Sequence, residues 1–545
     1  MNSQCLRYSQ EDYELSRTST NVTEEQDLDL PYYEHEHETS HDDLQSHLLT
    51  GNTVQGIAKL DASRLASLTP TWLRNQYLSR RPRTRTKRRS RRCTCSPRSF
   101  ARKFALLFYT FITTIIVIVV AGGVFFPGYT HLPPHYQALK RQVLASDAPG
   151  RANQQQQKVF IAASLSDKEA KLFSGDWGKN VLELIQLLGP ENAFLSIYVN
   201  DSGPESKRTF EEFGQHVPCD HALVFEDHLD WDQLKHLSLP DGSKRVKRIE
   251  YLSEVRNRAL RPLETSTTMF DKLLYLNDIY FHPVDAAQLL FSTHTVAEGR
   301  ADYRAACAVD FINPFKFYDT YATRDAEGYG MGLPFYPWFS ANGDEQSHQD
   351  VLDGTDAVRV RSCWGGMVAF NAGFFQKRPG SEYIPTAGNQ SPSNLTAPYR
   401  FRAEKDTFWD ASECCLIQAD IQNPEPGQSG IYMNPFVRVA YDKKTLSWLG
   451  FTRRFERLYT PVHWLLDFVT NTPRYNPRRH ERPWQRVSES VWIPDETLDE
   501  SGSFQEVTRI ATHAGYCGRR GLAVMKEDGD VVEGEHPWES VPVPS

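Results

Sequence analysis

The 545-residue chain is far longer than a single small core needs. Its net charge of −8 gives no overall basic balance for nucleic acid, so no nucleic-acid partner is expected. That value averages over segments of very different character.

The first fifty residues are acidic and rich in Ser, Thr and His, with few aliphatic side chains. Such a composition cannot offset the entropy lost on folding, and disorder is expected. Arg80 to Arg92 then places nine Lys or Arg in thirteen positions. Alone, the block could be a nuclear-localisation or nucleic-acid patch. Its neighbour gives it another reading. Phe104 to Phe126 is an uncharged run of 23 residues, long enough to cross a bilayer as a helix. It lies too far from the N-terminus, and is too long, for a cleaved secretory signal. The positive-inside rule puts the basic side in the cytosol and the C-terminal body in the lumen or outside, a single-pass type II topology. Residues 1–103 are thus read as a disordered cytosolic tail with a basic juxtamembrane block, 104–126 as the transmembrane helix, 127–158 as a stem, and 159–545 as a lumenal catalytic domain. Cys93 and Cys95, beside the membrane, are either palmitoylated or plain cytosolic thiols.

Beyond the membrane lie Cys219, Cys307, Cys363, Cys414, Cys415 and Cys517. They permit up to three disulfides, and sequence does not choose among the pairings. If Cys414 and Cys415 sit on a strand they face opposite ways and take different partners.

The body opens with a strand at Val159 to Ser164. Trp177, Val181, Leu184, Ile185 and Leu188 recur at helical spacing, and Gly189-Pro190 stops that helix. Phe194 to Val199 is the next strand, ending at Asn200-Asp201-Ser202-Gly203. This βαβ alternation predicts an α/β fold with a mostly parallel sheet. Ligands in such sheets bind beyond the carboxyl ends of the strands. Asp201 and Asp278 both fall at strand ends, so both are expected at one cleft. Asn200-Asp201-Ser202 is also a glycosylation sequon, but a glycan there would clash with a nucleotide pocket. Asn394-Leu395-Thr396 is the better acceptor.

Tyr275-Leu276-Asn277-Asp278 delivers one carboxylate to the end of an apolar run. A bare carboxylate there is costly unless a cation meets it. A divalent metal, which prefers oxygen ligands and bridges diphosphates, is the natural partner. Arg256, upstream in Glu254-Val255-Arg256-Asn257, has the bidentate guanidinium that suits a phosphate. The stretch Asp310 to Gly328 is dense in aromatics, acids and Arg. Aromatic faces stack on sugar rings and carboxylates accept hydroxyl protons, which makes Asp310, Tyr318 and Asp319 candidate acceptor-binding residues. A salt-bridged structural loop is the alternative. Trp364-Gly365-Gly366 follows, where two glycines let backbone approach a ligand closely. Ser412-Glu413-Cys414-Cys415 puts one acid at the start of a short apolar segment.

The Arg-Asn segment followed by a strand ending in Asp resembles the nucleotide-sugar half of GT-A glycosyltransferases. The ordered set YLSEVRNRAL, YLNDIYF, ACAVDF, KFYDTYATRDAEG, SCWGGMVAFNA and SECCLIQAD is similar to the fungal capsule-type α-1,3-mannosyltransferases, glycosyltransferase family sixty-nine. The match runs from about Val159 to Pro544, includes Ala514-Gly515-Tyr516-Cys517-Gly518-Arg519-Arg520, which is similar to that family's ending, and has no counterpart for the acidic tail.

That resemblance implies a GT-A-like domain in the Golgi membrane, the donor GDP-mannose, Mn²⁺ or Mg²⁺, and an α-1,3-linked product on a glycan or glycolipid acceptor. It implies that Glu413 is the acid near the reacting sugar, with Asp325 as a second catalytic candidate. Arg256, Asn257, Asp201, Trp364, Gly365 and Gly366 are then donor-binding candidates. Asp278 would hold the metal. A single Asp departs from the usual two-acid motif, and His513 is a candidate further ligand. Two other readings remain: a non-catalytic polysaccharide-synthesis or export scaffold with the same fold, and a transferase for another nucleotide sugar.

Overall fold

The computed structural model describes residues 97–296, 299–377, 397–423, 428–473, 476–494, 502–526 and 536–544. The acidic tail, the basic block, Cys93, Cys95 and the Asn394 sequon lie outside the described residues.

Helix α1 (Pro97–Phe125) contains the uncharged run. Its Arg102–Phe125 part is long and apolar enough to cross a membrane, with none of its most apolar window buried against the protein. The chain then folds directly onto the body. Tyr129 is buried, and its hydroxyl donates to the Val351 carbonyl at 3.1 Å. Helix α2 (Pro134–Ala145) buries Tyr136 and Val143. Residues read as a stem therefore contribute side chains to the core.

A nine-stranded sheet organises the body. In chain order its strands are β1 (Val159–Leu165), β2 (Ala193–Asn200), β3 (Asp220–Glu226), β4 (Lys272–Leu276), β5 (Ala305–Phe311), β6 (Arg324–Asp325), β7 (Val358–Ser362), β8 (Met367–Asn371) and β9 (Ile431–Ala440). Their spatial order is β3-β2-β1-β4-β8-β5-β9-β7-β6. The β3-β2-β1-β4 half and the β5-β9 pair are parallel, while β8 and β7 run against their neighbours. The sheet is thus mostly parallel in direction, as expected, with two reversed strands set into it.

Apolar runs explain the central strands. Every residue of β1, β4 and β5 is buried, as a sheet covered on both faces requires. Helix α3 (Asp176–Leu188) turns Trp177, Val181, Leu184, Ile185 and Leu188 inward, the spacing read from sequence. It ends at Gly189, whose φ of +87° suits glycine, just before Pro190. Helix α4 (Pro204–Gly214) follows β2, and α5 (Arg248–Leu260) lies against β1 and β2. The expected α/β layout is present, with helices α6 (Pro283–Ser292), α7 (Glu345–Asp353), α8 (Glu413–Ile421), α9 (Lys443–Thr452) and α10 (Thr460–Thr470) following.

Two disulfides close long loops, Cys307–Cys363 and Cys415–Cys517. Cys219 and Cys414 are buried thiols, so the six cysteines beyond the apolar helix do not form three bonds. Cys414 and Cys415 lie on helix α8, not on a strand.

Candidate active site

The carboxyl ends of β1, β4, β5 and β9 and the start of β8 reach the same edge of the sheet. Two cavities open there. One, of about 500 Å³, is lined by the Ser166–Leu172 loop after β1, the start of α3, and Asp278 to Tyr280. The other, of about 100 Å³, is lined by Arg256, Asn277, Trp364, Glu413, Tyr318 and their neighbours. Asp278 and Tyr441 line both. The carboxylate read from sequence therefore sits where the cavities meet.

The turn carrying Asp278 is fixed from several sides. The Asn277 N–H donates to the Gly366 carbonyl at 2.9 Å, and its own carbonyl accepts from the Trp177 indole at 2.9 Å. The Asn277 side-chain oxygen accepts from the Trp364 indole at 3.2 Å and from Arg256 Nη1 at 3.5 Å. That oxygen is thus engaged by the protein, while Asp278 lines both cavities. Such a held geometry is what preorganisation requires.

Arg256 comes from α5 and Glu413 from the first turn of α8. Arg256 Nε donates to Glu413 Oε1 at 2.9 Å, with both side chains nearly excluded from solvent. The guanidinium carbon lies 4.4 Å from the Trp364 ring centre and 5.4 Å from that of Tyr275. The cation is therefore held by a carboxylate and aromatic faces together.

Asp310 and Asp319 form the floor of the smaller cavity. The Asp319 N–H donates to Asp310 Oδ1 at 3.1 Å, and the Tyr441 hydroxyl donates to Asp310 Oδ2 at 3.0 Å. Burial, and then the neighbouring Asp319 charge, push the Asp310 carboxyl up to about 7. Burial also raises Asp319. Asp319 accepts N–H bonds from Ala322 and Trp364, each at 3.0 Å, so it anchors the Trp364 loop. Tyr318, half-buried, stands with its ring centre 4.7 Å from that of Tyr441.

Asp278, Arg256, Trp364, Glu413, Asp310, Tyr318 and Asp319 thus surround one cavity. Other candidates are placed differently. Asp201 follows β2 with φ +51° and points into the protein, accepting from the Tyr251 hydroxyl at 2.8 Å and bonding His228 at 2.8 Å. It lines neither cavity, so it does not share the Asp278 cleft. Asn257 binds the Phe401 backbone through both its oxygen and its nitrogen, each at 2.9 Å. Asp325 accepts the N–H groups of Glu327, Tyr329 and Asp344, a turn-holding role away from both cavities. Gly365 and Gly366 have φ near +60°, but the close approach they permit is to the protein itself. A Cβ on Gly365 would run into the Ala308 carbonyl, and one on Gly366 would meet Ile279. His513 lines a third cavity, of about 310 Å³, together with Arg478, Arg479 and Tyr516. The structure does not bring it to Asp278.

The Ser166–Leu172 loop was not anticipated, although its place directly after a buried strand marks it. Asp167 shapes it by accepting the N–H groups of Lys171 and Leu172 at 3.0 and 2.9 Å. Lys168 and Lys171 stand on this side of the cleft among Asp167, Glu169 and Asp176, and Lys171 is paired with Glu169 at 2.8 Å. Asn200 of the first sequon is fully buried and bonded to Tyr251, which closes it to glycosylation.

Among the described residues no group of three or more His, Cys, Asp or Glu is arranged to hold a metal ion. The donor set fits the other way of binding a hard cation, through one or two carboxylates completed by substrate phosphates. Asp278 is placed for that, at the junction of the cavities.

No curated protein sequence matches the chain at a significant level. Among solved structures, the chain is similar to a mannosyltransferase from Pyrobaculum calidifontis in complex with GDP-Man and Mn²⁺, at 10% identity, over 66% of this chain and 84% of that one, with a TM-score of 0.29. It is also similar to glucosyl-3-phosphoglycerate synthase from Mycobacterium tuberculosis, solved with Mg²⁺ and uridine diphosphate, at 12% identity, over 72% and 95% of the two chains, with a TM-score of 0.28. A third is mannosyl-3-phosphoglycerate synthase from Rubrobacter xylanophilus, at 10% identity, 70% and 94% coverage, and a TM-score of 0.26. Residues 158–420 match the model of a family described as Cryptococcal mannosyltransferase 1. That span, just under half of the chain, holds the Asp278 turn, Arg256 and Glu413.

Proposed function

We propose that the chain is a membrane-anchored, retaining mannosyltransferase that moves mannose from GDP-mannose to a hydroxyl of a mannose-containing glycan or glycolipid, forming an α-1,3 linkage. The observation that carries the reading is the position of Asp278, shared by a wide cleft with Lys168 and Lys171 on one side and a small, aromatic-lined cavity on the other. The nucleotide would lie in the wide cleft, its diphosphate at Asp278, and its mannose in the small cavity.

In the reaction the acceptor oxygen bonds to the anomeric carbon as the bond from that carbon to phosphate breaks. GDP leaves with the electron pair, and the acceptor proton passes to the departing phosphate oxygen. Asp278 would hold a Mn²⁺ or Mg²⁺ ion that, when bound, neutralises charge on the diphosphate. Asn277 and Trp177 keep Asp278 in place. Glu413 would face the anomeric carbon, where its carboxylate stabilises developing positive charge. Arg256 holds Glu413 in that orientation. Tyr318 and Tyr441 would offer aromatic surface to the sugars.

The basic block ahead of the apolar helix supports a type II orientation in the Golgi membrane with the catalytic body lumenal. The test is full-length protein in detergent with Mn²⁺, mannoside acceptors and a panel of labelled nucleotide sugars. Transfer from GDP-mannose is expected. Failure of every donor to react, with none raising the melting temperature, would favour the scaffold reading.

A further inference from the structure

Helix α10 is built inside out. Its buried side chains are the polar ones, His463 and Asp467, paired at 3.1 Å. Its apolar side chains Val462, Trp464, Leu465, Phe468 and Val469 face outward, between 51% and 77% exposed. Trp448 and Phe451 of α9 are exposed as well. A soluble surface rarely carries so much contiguous apolar area without a partner.

The 3₁₀ turn Arg453–Tyr459 joins α9 to α10, and it meets the end of the membrane-length helix. A Cβ on Gly122 would collide with Leu458, and one on Gly123 with Phe455. These glycines let the last turns of α1 rest directly on the segment between the exposed faces. The charge pattern fits a lipid surface. The acids between Lys443 and Thr470 are Glu456 and Asp467, and both turn inward. Glu456 meets Arg438 at 2.9 Å and Asp467 meets His463. Lys444 and Arg454 remain exposed beside the aromatic side chains.

We propose that the outer face of α9 and α10 docks into the interfacial layer of the leaflet from which α1 emerges. An apolar face with Trp side chains, cations at its rim and acids turned inward is the composition of a helix lying in a membrane interface. The proposal rests on reading α1 as a membrane span, and its occupant is the bilayer itself.

The test uses the full-length protein in phosphatidylcholine vesicles containing lipid with a photoactivatable acyl chain, followed by mass-spectrometric mapping of adducts. Adducts are expected on Phe104–Phe126 and also on peptides holding Trp448–Phe451 and Val462–Val469. Labelling confined to Phe104–Phe126 overturns the docking while leaving the span intact. An unlabelled Phe104–Phe126 overturns the span reading, and the docking with it. Cross-links between α10 helices of two copies, in place of lipid adducts, assign the face to a second copy and also overturn it. The variant Trp464→Ser/Phe468→Ser leaves the buried His463–Asp467 face untouched. It should melt like the natural protein and lose the α9–α10 adducts while keeping those on α1. Retention of the α9–α10 adducts would overturn the proposal.

Discussion

Arg256 and Glu413 are separated by 157 residues of chain and joined by a 2.9 Å hydrogen-bonded ion pair that ties α5 to α8. The pair is buried, so neither residue can be changed without leaving its partner exposed to a cost. Removing one member of a buried pair typically destabilises by roughly 3–5 kcal/mol, because the remaining charge is uncompensated. Arg256→Ala and Glu413→Gln should therefore each lower turnover, and the double variant should lose much less than the sum of the two. Turnover and melting temperature of the three variants check this. Additive losses would mean that the two side chains act separately.

Asp278 tests the cation. Asp278→Asn keeps the size of the side chain and removes its charge. The turn is held by Asn277, Trp177 and Gly366, so the melting temperature should stay close to that of the natural protein. Activity should fall at least about a hundredfold, on the order of 3 kcal/mol of barrier, as expected for a lost electrostatic stabiliser. Chelation of divalent metal should abolish turnover of the natural protein, and added Mn²⁺ should restore it. Full activity of Asp278→Asn at ordinary Mn²⁺ would place the metal elsewhere.

The elements nearest this site differ in how far sequence reveals them. β1, α3 and β2 were legible because their apolar spacing matches their geometry. The place of Asp278 just beyond β4 was legible because an apolar run leads directly to it. The reversal of β8 was not, since strand direction is set by pairing between distant segments. Helix α8 read as a short apolar stretch because every one of its residues is buried, which erases the helical stripe. Asp201 was expected in the cleft from its place after β2, yet a left-handed backbone turns it inward to Tyr251 and His228. The separation of His513 from Asp278 depends on the path of the whole C-terminal segment, which no local pattern encodes.

The Cys415–Cys517 bond couples the C-terminal segment to the start of α8, one residue beyond Cys414 and two beyond Glu413. Strand Gly518–Arg520 pairs with Trp409–Ala411 just ahead of that helix, so the bond and the pairing fix the same point. Cys415→Ser/Cys517→Ser should lower unfolding free energy by roughly 2–4 kcal/mol through release of a long loop in the unfolded chain. It should also lower turnover, because Glu413 loses its anchor. Denaturant unfolding and activity of the double variant measure both effects. A loss of stability with full activity would separate the bond from the site.

Asp310 makes stability depend on pH in an unusual direction. Its carboxyl is raised to about 7 by burial and by Asp319, so the folded protein keeps a proton that the unfolded chain has released. Between about pH 4 and pH 7 the folded state binds more protons, and unfolding free energy must fall as pH rises. The penalty is absent below the ordinary carboxyl range and complete above about 7. Asp319 is raised as well, so the two release protons as a coupled pair. Asp310→Asn removes the titrating group while keeping an oxygen that can accept from the Asp319 N–H. Denaturation midpoints of both proteins across this range should show the natural protein losing stability relative to the variant as pH rises. Parallel profiles would mean that the buried pair does not hold its proton, and that a bound cation or solvent neutralises it instead.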